Sequence, residues 1–303
     1  MNRFAVIDLG TNTFHLLIVD MQKGAPTSIL FKKRIYVSLA SEGISNIGDA
    51  PYARGLNCLN QFASIMDEYQ VDALKAFGTA ALRNARNAKD FIIDVKKQTG
   101  IDVEIIAGSR EALLIHKGVS EVVPFDMNPS LIMDIGGGSV EFVLCNKEEV
   151  FWSKSFKIGV AVLFNKFHKA DPINADGLID LEDFLEEHTQ DLLEVLKKYS
   201  VQQLVGASGT FDVLVDMLGE DKISAHHFLL DLDRFEHWRR MVLPMSIEQR
   251  LDIPKLPKQR AEYIVVAVQL LKFVLDRSGI ETMKVSSYAM KEGILAEMLQ
   301  NQG

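Results

Sequence analysis

The chain predicts an α/β protein built from two related domains, and three observations carry that prediction. One segment is written twice, helices and strands alternate after each copy, and the length of 303 residues favours two domains over one. Residues 5–20 read A-V-I-D-L-G-T-N-T-F-H-L-L-I-V-D, and residues 131–146 read L-I-M-D-I-G-G-G-S-V-E-F-V-L-C-N. Each copy is an apolar run, an acid (Asp8 or Asp134), a glycine (Gly10 or Gly136), a small polar turn and a second apolar run. That pattern reads as strand, tight turn, strand. Small residues in such a turn let backbone N–H groups converge on an anion. An aspartate beside the turn would repel a bare phosphate, so the pairing makes most sense with a divalent cation between them. A single copy would read as an ordinary hairpin. Two copies, each with its acid in the same place, predict two subdomains facing one polyphosphate across a cleft.

The remaining elements follow in order. Residues 27–37 read as a third strand with a basic insert. Residues 52–70 carry Leu56, Leu59, Phe62, Ala63 and Met66 at helical spacing. A strand over 71–78 ends at Gly78, and Thr79 is placed to cap the helix that follows. A helix over 88–98 stopping at Gly100, a strand over 101–106 and a helix over 110–121 complete the first half. The second half predicts strands at 131–135, 140–145 and 149–156, then a short helix from Gly159 to near His168. One long amphipathic helix is expected over 176–199, with Leu178, Leu181, Leu185, Leu192 and Leu196 inward. A strand over 201–206 runs into Ala207-Ser208-Gly209-Thr210 and a helix. Pro244, Pro254 and Pro257 mark 221–258 as short helices and loops. An apolar helix over 259–276, a short strand at 284–285 and a helix from 289 to 300 close the chain.

Composition excludes several classes. Hydrophobic residues make up 48% of the chain, yet no run of about 18 apolar residues occurs, so no membrane span is expected. The first strand begins within a few residues of Met1, which leaves no room for a signal peptide and predicts a cytoplasmic protein. Cys58 and Cys145, the only cysteines, sit in apolar patterns and read as buried thiols, with no disulfide framework or zinc spacing. A net charge of −8 argues against a DNA-binding protein, although an acidic protein can still hold a locally positive cleft.

Six stretches then resemble one family. They are Asp8-Leu9-Gly10-Thr11-Asn12-Thr13, Gly78-Thr79-Ala80-Ala81-Leu82-Arg83-Asn84-Ala85-Arg86-Asn87 and Ile106-Ala107-Gly108-Ser109-Arg110-Glu111-Ala112. Asp134-Ile135-Gly136-Gly137-Gly138-Ser139-Val140-Glu141, Gly206-Ala207-Ser208-Gly209-Thr210 and Lys291-Glu292-Gly293 follow. Each is weak alone; all six in order are specific. Together they resemble the exopolyphosphatase / guanosine pentaphosphate phosphohydrolase family, a branch of the actin-like ATPase superfamily, over essentially the whole chain.

The resemblance implies two actin-like (ribonuclease H-like) domains related by internal duplication, 1–124 and 125–288, with a hinge at 123–129 and a final helix, 289–303, that packs back on the first. It implies phosphate binding by Gly10, Thr11 and Asn12, by Gly136, Gly137, Gly138 and Ser139, and by Gly209 and Thr210 at a helix N-terminus. Arg83 is the expected phosphate-binding guanidinium, since its planar donors pair with two oxygens at once, and Arg260 is a second-rank phosphate contact. Asp8, Asp134 and Glu141 are the expected metal-site residues, for Mg²⁺ (or Mn²⁺). Glu111 is the expected base; in isolation it would read as an acid satisfying a helix dipole. Homodimerisation is common in the family. Arg86 and Lys89 read equally well as an extended basic track or as solvated charge. His15 reads as a strand-face residue and His226-His227 as a loop pair with no third metal ligand at useful spacing.

The chain departs from the family pattern at Val140, where a threonine is usual, at Ser109 and Arg110, where acids are common, and at Lys291, where arginine is typical. It has no His-Asp dipeptide and reads as the short form, without the further helical domain of larger members. The expected function is Mg-dependent release of terminal phosphate from inorganic polyphosphate, with guanosine pentaphosphate hydrolysis or non-catalytic binding of polyphosphate or guanosine tetraphosphate as alternatives. No aromatic-lined base pocket is legible, which favours polyphosphate. A sugar or acetate kinase would show a late Gly-Gly pair, which this chain lacks. A binder would need no base, so Glu111 beside Asp8 and Asp134 favours catalysis.

Overall fold

The computed structural model describes residues 3–21, 27–219 and 221–300. It is an α/β structure with two sheets, and it divides into two compact units: one runs to Gly118 and regains the chain at Met290, and the other is Val119–Ala289.

In the first unit, β1 (Arg3–Leu9), β2 (Thr13–Asp20) and β3 (Ser28–Tyr36) form an antiparallel meander. The chain continues through α1 (Asp49–Glu68), β4 (Ala73–Gly78), α2 (Ala80–Asn84), α3 (Ala88–Thr99), β5 (Val103–Ile105) and α4 (Gly108–Ser120). β4 adds parallel to β1 and β5 parallel to β4, giving the order β3-β2-β1-β4-β5. Residues Ala5, Ile7, Phe14, Leu16 and Ile18 of the central strands bury against Leu59 and Phe62 of α1 and Phe91 of α3. α3 stops where Gly100 adopts φ +73°, a left-handed conformation that glycine takes without strain. On the edge strand β3, Lys32 and Arg34 are exposed; such charges block pairing with another sheet.

The second unit repeats the plan. β6 (Ser130–Ile135), β7 (Val140–Cys145) and β8 (Val150–Phe156) form the meander, followed by α5 (Val160–Phe167), α6 (Ala175–His188), α7 (Gln190–Lys198), β9 (Gln203–Ala207) and α8 (Gly209–Leu218). Then come β10 (Asp221–Ser224), β11 (His227–Leu230), α9 (Leu232–Val242), α10 (Ile247–Leu251), α11 (Lys258–Ala261), α12 (Ile264–Asp276) and β12 (Thr282–Ser286). The order is β10-β11-β12-β9-β6-β7-β8. Its stretch β8-β7-β6-β9-β12 matches β3-β2-β1-β4-β5 in order and direction, the ribonuclease H-like arrangement of the actin-like fold. Every residue of β6 and β7 is buried. The last helix, α13 (Met290–Gln300), packs on the first unit: Gly293 lies against the Leu114 backbone of α4, and Arg110 of α4 pairs with Glu297. An arginine at position 110, where the family commonly has an acid, thus anchors α13 to α4.

Four expectations about elements need correcting. Thr79 precedes α2 but makes no capping hydrogen bond; its hydroxyl donates instead to the Leu9 carbonyl (3.4 Å). The single helix expected over 176–199 breaks at Thr189, whose buried hydroxyl back-bonds to the Leu185 carbonyl (2.7 Å), a bond that bends helices. The stretch expected to be only helices and loops contains the β10–β11 hairpin, which extends the sheet on β12. The helix expected from 259 is two, α11 and α12. Cys58 and Cys145 are buried thiols, and among the described residues no helix is long and apolar enough to cross a membrane.

Candidate active site

The two glycine turns share one construction. Gly10 N–H donates to the Thr13 carbonyl and Gly136 N–H to the Ser139 carbonyl, both at 3.0 Å. A Cβ on either glycine would lie 2.9 Å from that carbonyl oxygen, so the turn closes only with glycine there. Pairing across the hairpins places Asp8 opposite His15 and Asp134 opposite Glu141. The hydroxyl at the end of each turn then bonds to the side chain opposite the acid: Thr13 Oγ1 to His15 Nε2 (2.9 Å), Ser139 Oγ to Glu141 Oε1 (2.6 Å). Ser155 of β8 donates to the same Glu141 oxygen at 2.7 Å. His15 is therefore the positional counterpart of Glu141 as well as a strand-face residue. The spacing Thr-Phe-His against Ser-Val-Glu already carried that signal.

The turns are also anchored on their carbonyl side. A trans peptide sets its C=O and the following N–H on opposite sides. The Thr11 carbonyl accepts from Leu39 N–H (2.8 Å) and the Asn12 carbonyl from Val37 and Ser38 N–H (2.9 Å each). The amides of Asn12 and Thr13 consequently face away from that segment. In the second turn the carbonyls of Gly136 and Gly137 accept from Val160 (3.0 Å) and Ala161 (2.9 Å), the first amides of α5, so the amides of Gly137 and Gly138 face away from α5. Gly159, the residue before α5, packs so closely that a Cβ would sit 2.4 Å from Gly137 backbone atoms. Amides turned outward beside small residues form a nest for an anionic oxygen.

Neighbouring strands bring further predicted residues to the same ends of the sheets. In the first unit Leu9, Gly78 and Ile105 lie in one row across the parallel strands β1, β4 and β5. The chain leaves that row through Gly10–Asn12, Thr79–Arg83 and Ala107–Glu111 respectively, the strand ends at which α/β sheets bind ligands. Arg83 Nη1 donates to Glu111 Oε2 at 2.6 Å and to the Ile106 carbonyl at 3.0 Å, so a guanidinium on α2 and a carboxylate in the first turn of α4 are fixed to each other. Glu111 is 8% exposed. Burial pushes its pKa up, and the attraction and hydrogen bond of Arg83 oppose that rise without cancelling it.

In the second unit Ser208 has φ +70° and ψ −179°, a region left almost entirely to glycine. Its hydroxyl donates to Asp134 Oδ2 at 2.5 Å. Gly209 and Thr210 open α8, and the Thr210 hydroxyl reaches the Ile135 carbonyl (3.4 Å), just past Asp134. Thr79 bonds to the residue after Asp8 in the same manner. Arg260 is buried on α11, close enough to Tyr263 to influence its phenol. The Tyr263 ring packs edge-on to Phe164 of α5, the helix that anchors the 136–139 turn. No functional role was read from the sequence for Ser155, Gly159 or Ser208; their contributions arise from tertiary contacts.

Among the described residues no group of three or more His, Cys, Asp or Glu is arranged as a metal cage. Magnesium rarely uses one: it is held by one or two carboxylates together with substrate phosphates and water. Asp8 and Asp134, hard oxygen donors each beside an outward-facing amide turn, fit that mode. Within unit 2, Glu141 Oε1 holds Ser139 and Ser155.

Comparison with known proteins agrees with this geometry. Residues 17–302 match the model of the Ppx/GppA phosphatase family. The structure is similar to that of an exopolyphosphatase from Cytophaga hutchinsonii, with TM-score 0.94, 38% identity, and coverage of 99% of this chain and 98% of that one. An Aquifex aeolicus member of the Ppx/GppA family shares the fold, with TM-score 0.82 and 24% identity over 100% of this chain and 99% of that one. A guanosine-5'-triphosphate,3'-diphosphate pyrophosphatase from Photobacterium profundum is 27% identical over 98% of this chain, which spans only 59% of that relative's length. The chain belongs to the Ppx/GppA phosphatase family, whose members hydrolyse phosphoric anhydrides.

Proposed function

We propose that this chain is an exopolyphosphatase: it releases the terminal phosphate of inorganic polyphosphate by direct attack of water, with Glu111 as general base. The observation that carries the reading is the buried Glu111 carboxylate held at 2.6 Å by Arg83 at the mouth of the β4–β5 strands. Burial raises the proton affinity of Glu111, as a base working near neutral pH requires. Arg83 gives the carboxylate one orientation and presents the rest of its guanidinium to a substrate phosphate.

In this reading the amides of Asn12, Gly137 and Gly138 hold phosphoryl oxygens. Glu141 keeps the Ser139 hydroxyl in place and, with Asp134, which Ser208 orients, would offer carboxylates to the metal from the second unit, and Asp8 would offer one from the first. Gly209 and Thr210 add donors at the positive end of α8, and Arg260 is a further phosphate contact. Bound Mg²⁺, or Mn²⁺, would draw charge from the transferring phosphoryl group. Glu111 takes a proton from water as the oxygen bonds to the terminal phosphorus. The anhydride P–O bond breaks, and the electron pair leaves with the shortened chain.

The Cytophaga hutchinsonii similarity supports polyphosphate as substrate, and the Photobacterium profundum relative supports a second reading, guanosine pentaphosphate. Purified protein supplied with either substrate, with Mg²⁺ or with a chelator, separates them. Mg²⁺-dependent phosphate release with a higher kcat/KM on long-chain polyphosphate is the expected result. A higher kcat/KM on the nucleotide would transfer the assignment to it.

A further inference from the structure

We propose that Arg250 is a positioning residue for phosphate binding in the second unit, fixing the 136–139 turn and Arg260 in relation to each other. The inference rests on the reading above, in which both hold phosphates. Arg250 lies on α10, a helix of five residues, too short to stand without tertiary support. It is the one buried residue of that helix, and its exposure is 0%. The helix therefore meets the core through a cation rather than through an apolar side chain.

Stability alone does not account for that choice. Taking a guanidinium out of water is costly, and an apolar side chain of similar volume in its place is often neutral or stabilising. The cost is only partly offset here. Arg250 Nη2 lies 3.7 Å from Asp171 Oδ1, and both Asp171 oxygens already accept from the Ile247 N–H, at 3.0 and 2.8 Å. Arg250 Nε and Nη1 have no hydrogen-bond partner among the described residues. Departures of this kind from a satisfied core concentrate at functional sites.

The neighbours of the guanidinium point to its role. Nη2 donates to Nε2 of His168 (3.4 Å), the residue that ends α5. The His168 side chain is buried, and its ring stacks on Phe164 with centroids 4.7 Å apart. Burial and the Arg250 charge hold its pKa below the ordinary histidine value, against the pull of Asp171, a backbone hydrogen bond and Glu262. Nε2 is thereby kept as an acceptor. α5 is eight residues long, about 12 Å, and its first amides hold the Gly136 and Gly137 carbonyls at 3.0 and 2.9 Å. A shift at His168 thus reaches the phosphate turn along one short helix. On its side, Phe164 packs edge-on to Tyr263 (5.3 Å), whose hydroxyl donates to Glu262, and the Glu262 charge acts on Arg250 in turn. Tyr263 and Glu262 directly follow α11, which carries Arg260. Arg250 therefore stands between the helix that anchors the turn and the segment that carries Arg260.

The test measures phosphate release from long-chain polyphosphate with Mg²⁺. The variants are Arg250→Met, Arg250→Lys, and Arg250→Met combined with either Arg260→Ala or Arg83→Ala. Asp171 is exposed and Glu262 partly so, so neither carboxylate is stranded without the cation, and the Met variant is expected to fold. Its kcat/KM is expected to fall about tenfold, mainly through KM. Arg250→Lys keeps the charge and should retain most of the wild-type value. The loss should be non-additive with Arg260→Ala and additive with Arg83→Ala, whose guanidinium belongs to the first unit. An unchanged kcat/KM per folded molecule, or additivity with both partners, would overturn the positioning role and leave the exopolyphosphatase reading standing. If Arg250→Met does not fold, His168→Leu, which removes the same contact from the α5 side, is measured against the same criteria. If wild type releases no phosphate from polyphosphate, that reading fails, and equilibrium binding of long-chain polyphosphate decides: equal affinity of wild type and Arg250→Met overturns the proposal.

Discussion

Ser208 combines an unfavourable backbone with a short hydrogen bond, and substitution separates the two. Its φ of +70° costs about 1–3 kcal/mol for a non-glycine residue, and its hydroxyl orients Asp134. Ser208→Gly is expected to raise thermal stability by about 1 kcal/mol, since relief of strain exceeds the loss of one hydrogen bond, and to lower phosphate release. Thermal melts read with turnover check this; a loss of both would mean that the backbone is not strained. Glu111 gives a prediction in pH. Protonated, it accepts no proton, so activity falls on the acid side, and its raised pKa places that fall above the ordinary carboxylate range. Arg83 is the influence that lowers the pKa, so Arg83→Ala should move the acid limb to still higher pH, and a pH profile of kcat/KM in which it moved down would contradict the pairing.

At the scale of elements, two glycines fix where helices meet other segments. Gly159 lets the N-terminus of α5 reach the Gly137–Gly138 backbone, and Gly159→Ala would drive a Cβ into it at 2.4 Å. The turn must shift, so phosphate release is expected to fall at least tenfold, a loss set by misplacement of reacting groups. Gly293→Ala would place a Cβ 1.9 Å from the Leu114 carbonyl oxygen and should cost about 1–3 kcal/mol by forcing α13 off α4, measured by denaturant unfolding. The strand–turn–strand copies were legible because an apolar run and a closing glycine are local properties. The break at Thr189 was not, because it depends on one hydroxyl reaching Leu185 in an otherwise continuous apolar stripe. The β10–β11 hairpin was missed because Asp221–Ser224 is polar and takes its strand form from pairing with β11, itself held by β12.

Across the whole molecule, the repetition is deeper than the shared motif. Strand order, turn closure, the bond from the turn hydroxyl to the residue facing the acid, and the threonine on the carbonyl after the acid all recur. The α/β class could be read from the chain because the strand–turn–strand motif is duplicated, whereas the candidate residues were named through the resemblance of six stretches to one family. The Arg83–Glu111 contact could not, since 28 residues separate the partners and only the register of β4 and β5 brings them together. A role for Asp8 and Asp134 in holding Mg²⁺ predicts that a chelator abolishes phosphate release and that added Mg²⁺ or Mn²⁺ restores it. Release unaffected by chelator would remove the metal from the mechanism.

The most direct measurement is phosphate release from long-chain polyphosphate by wild type and by Glu111→Gln, with polyphosphate binding measured on both. The variant keeps the shape of the side chain and removes the base. Water attack assisted by Glu111 predicts a fall in kcat of about 10²–10⁴-fold with binding largely retained. A variant that turns over at the wild-type rate would contradict the assignment of Glu111 as base.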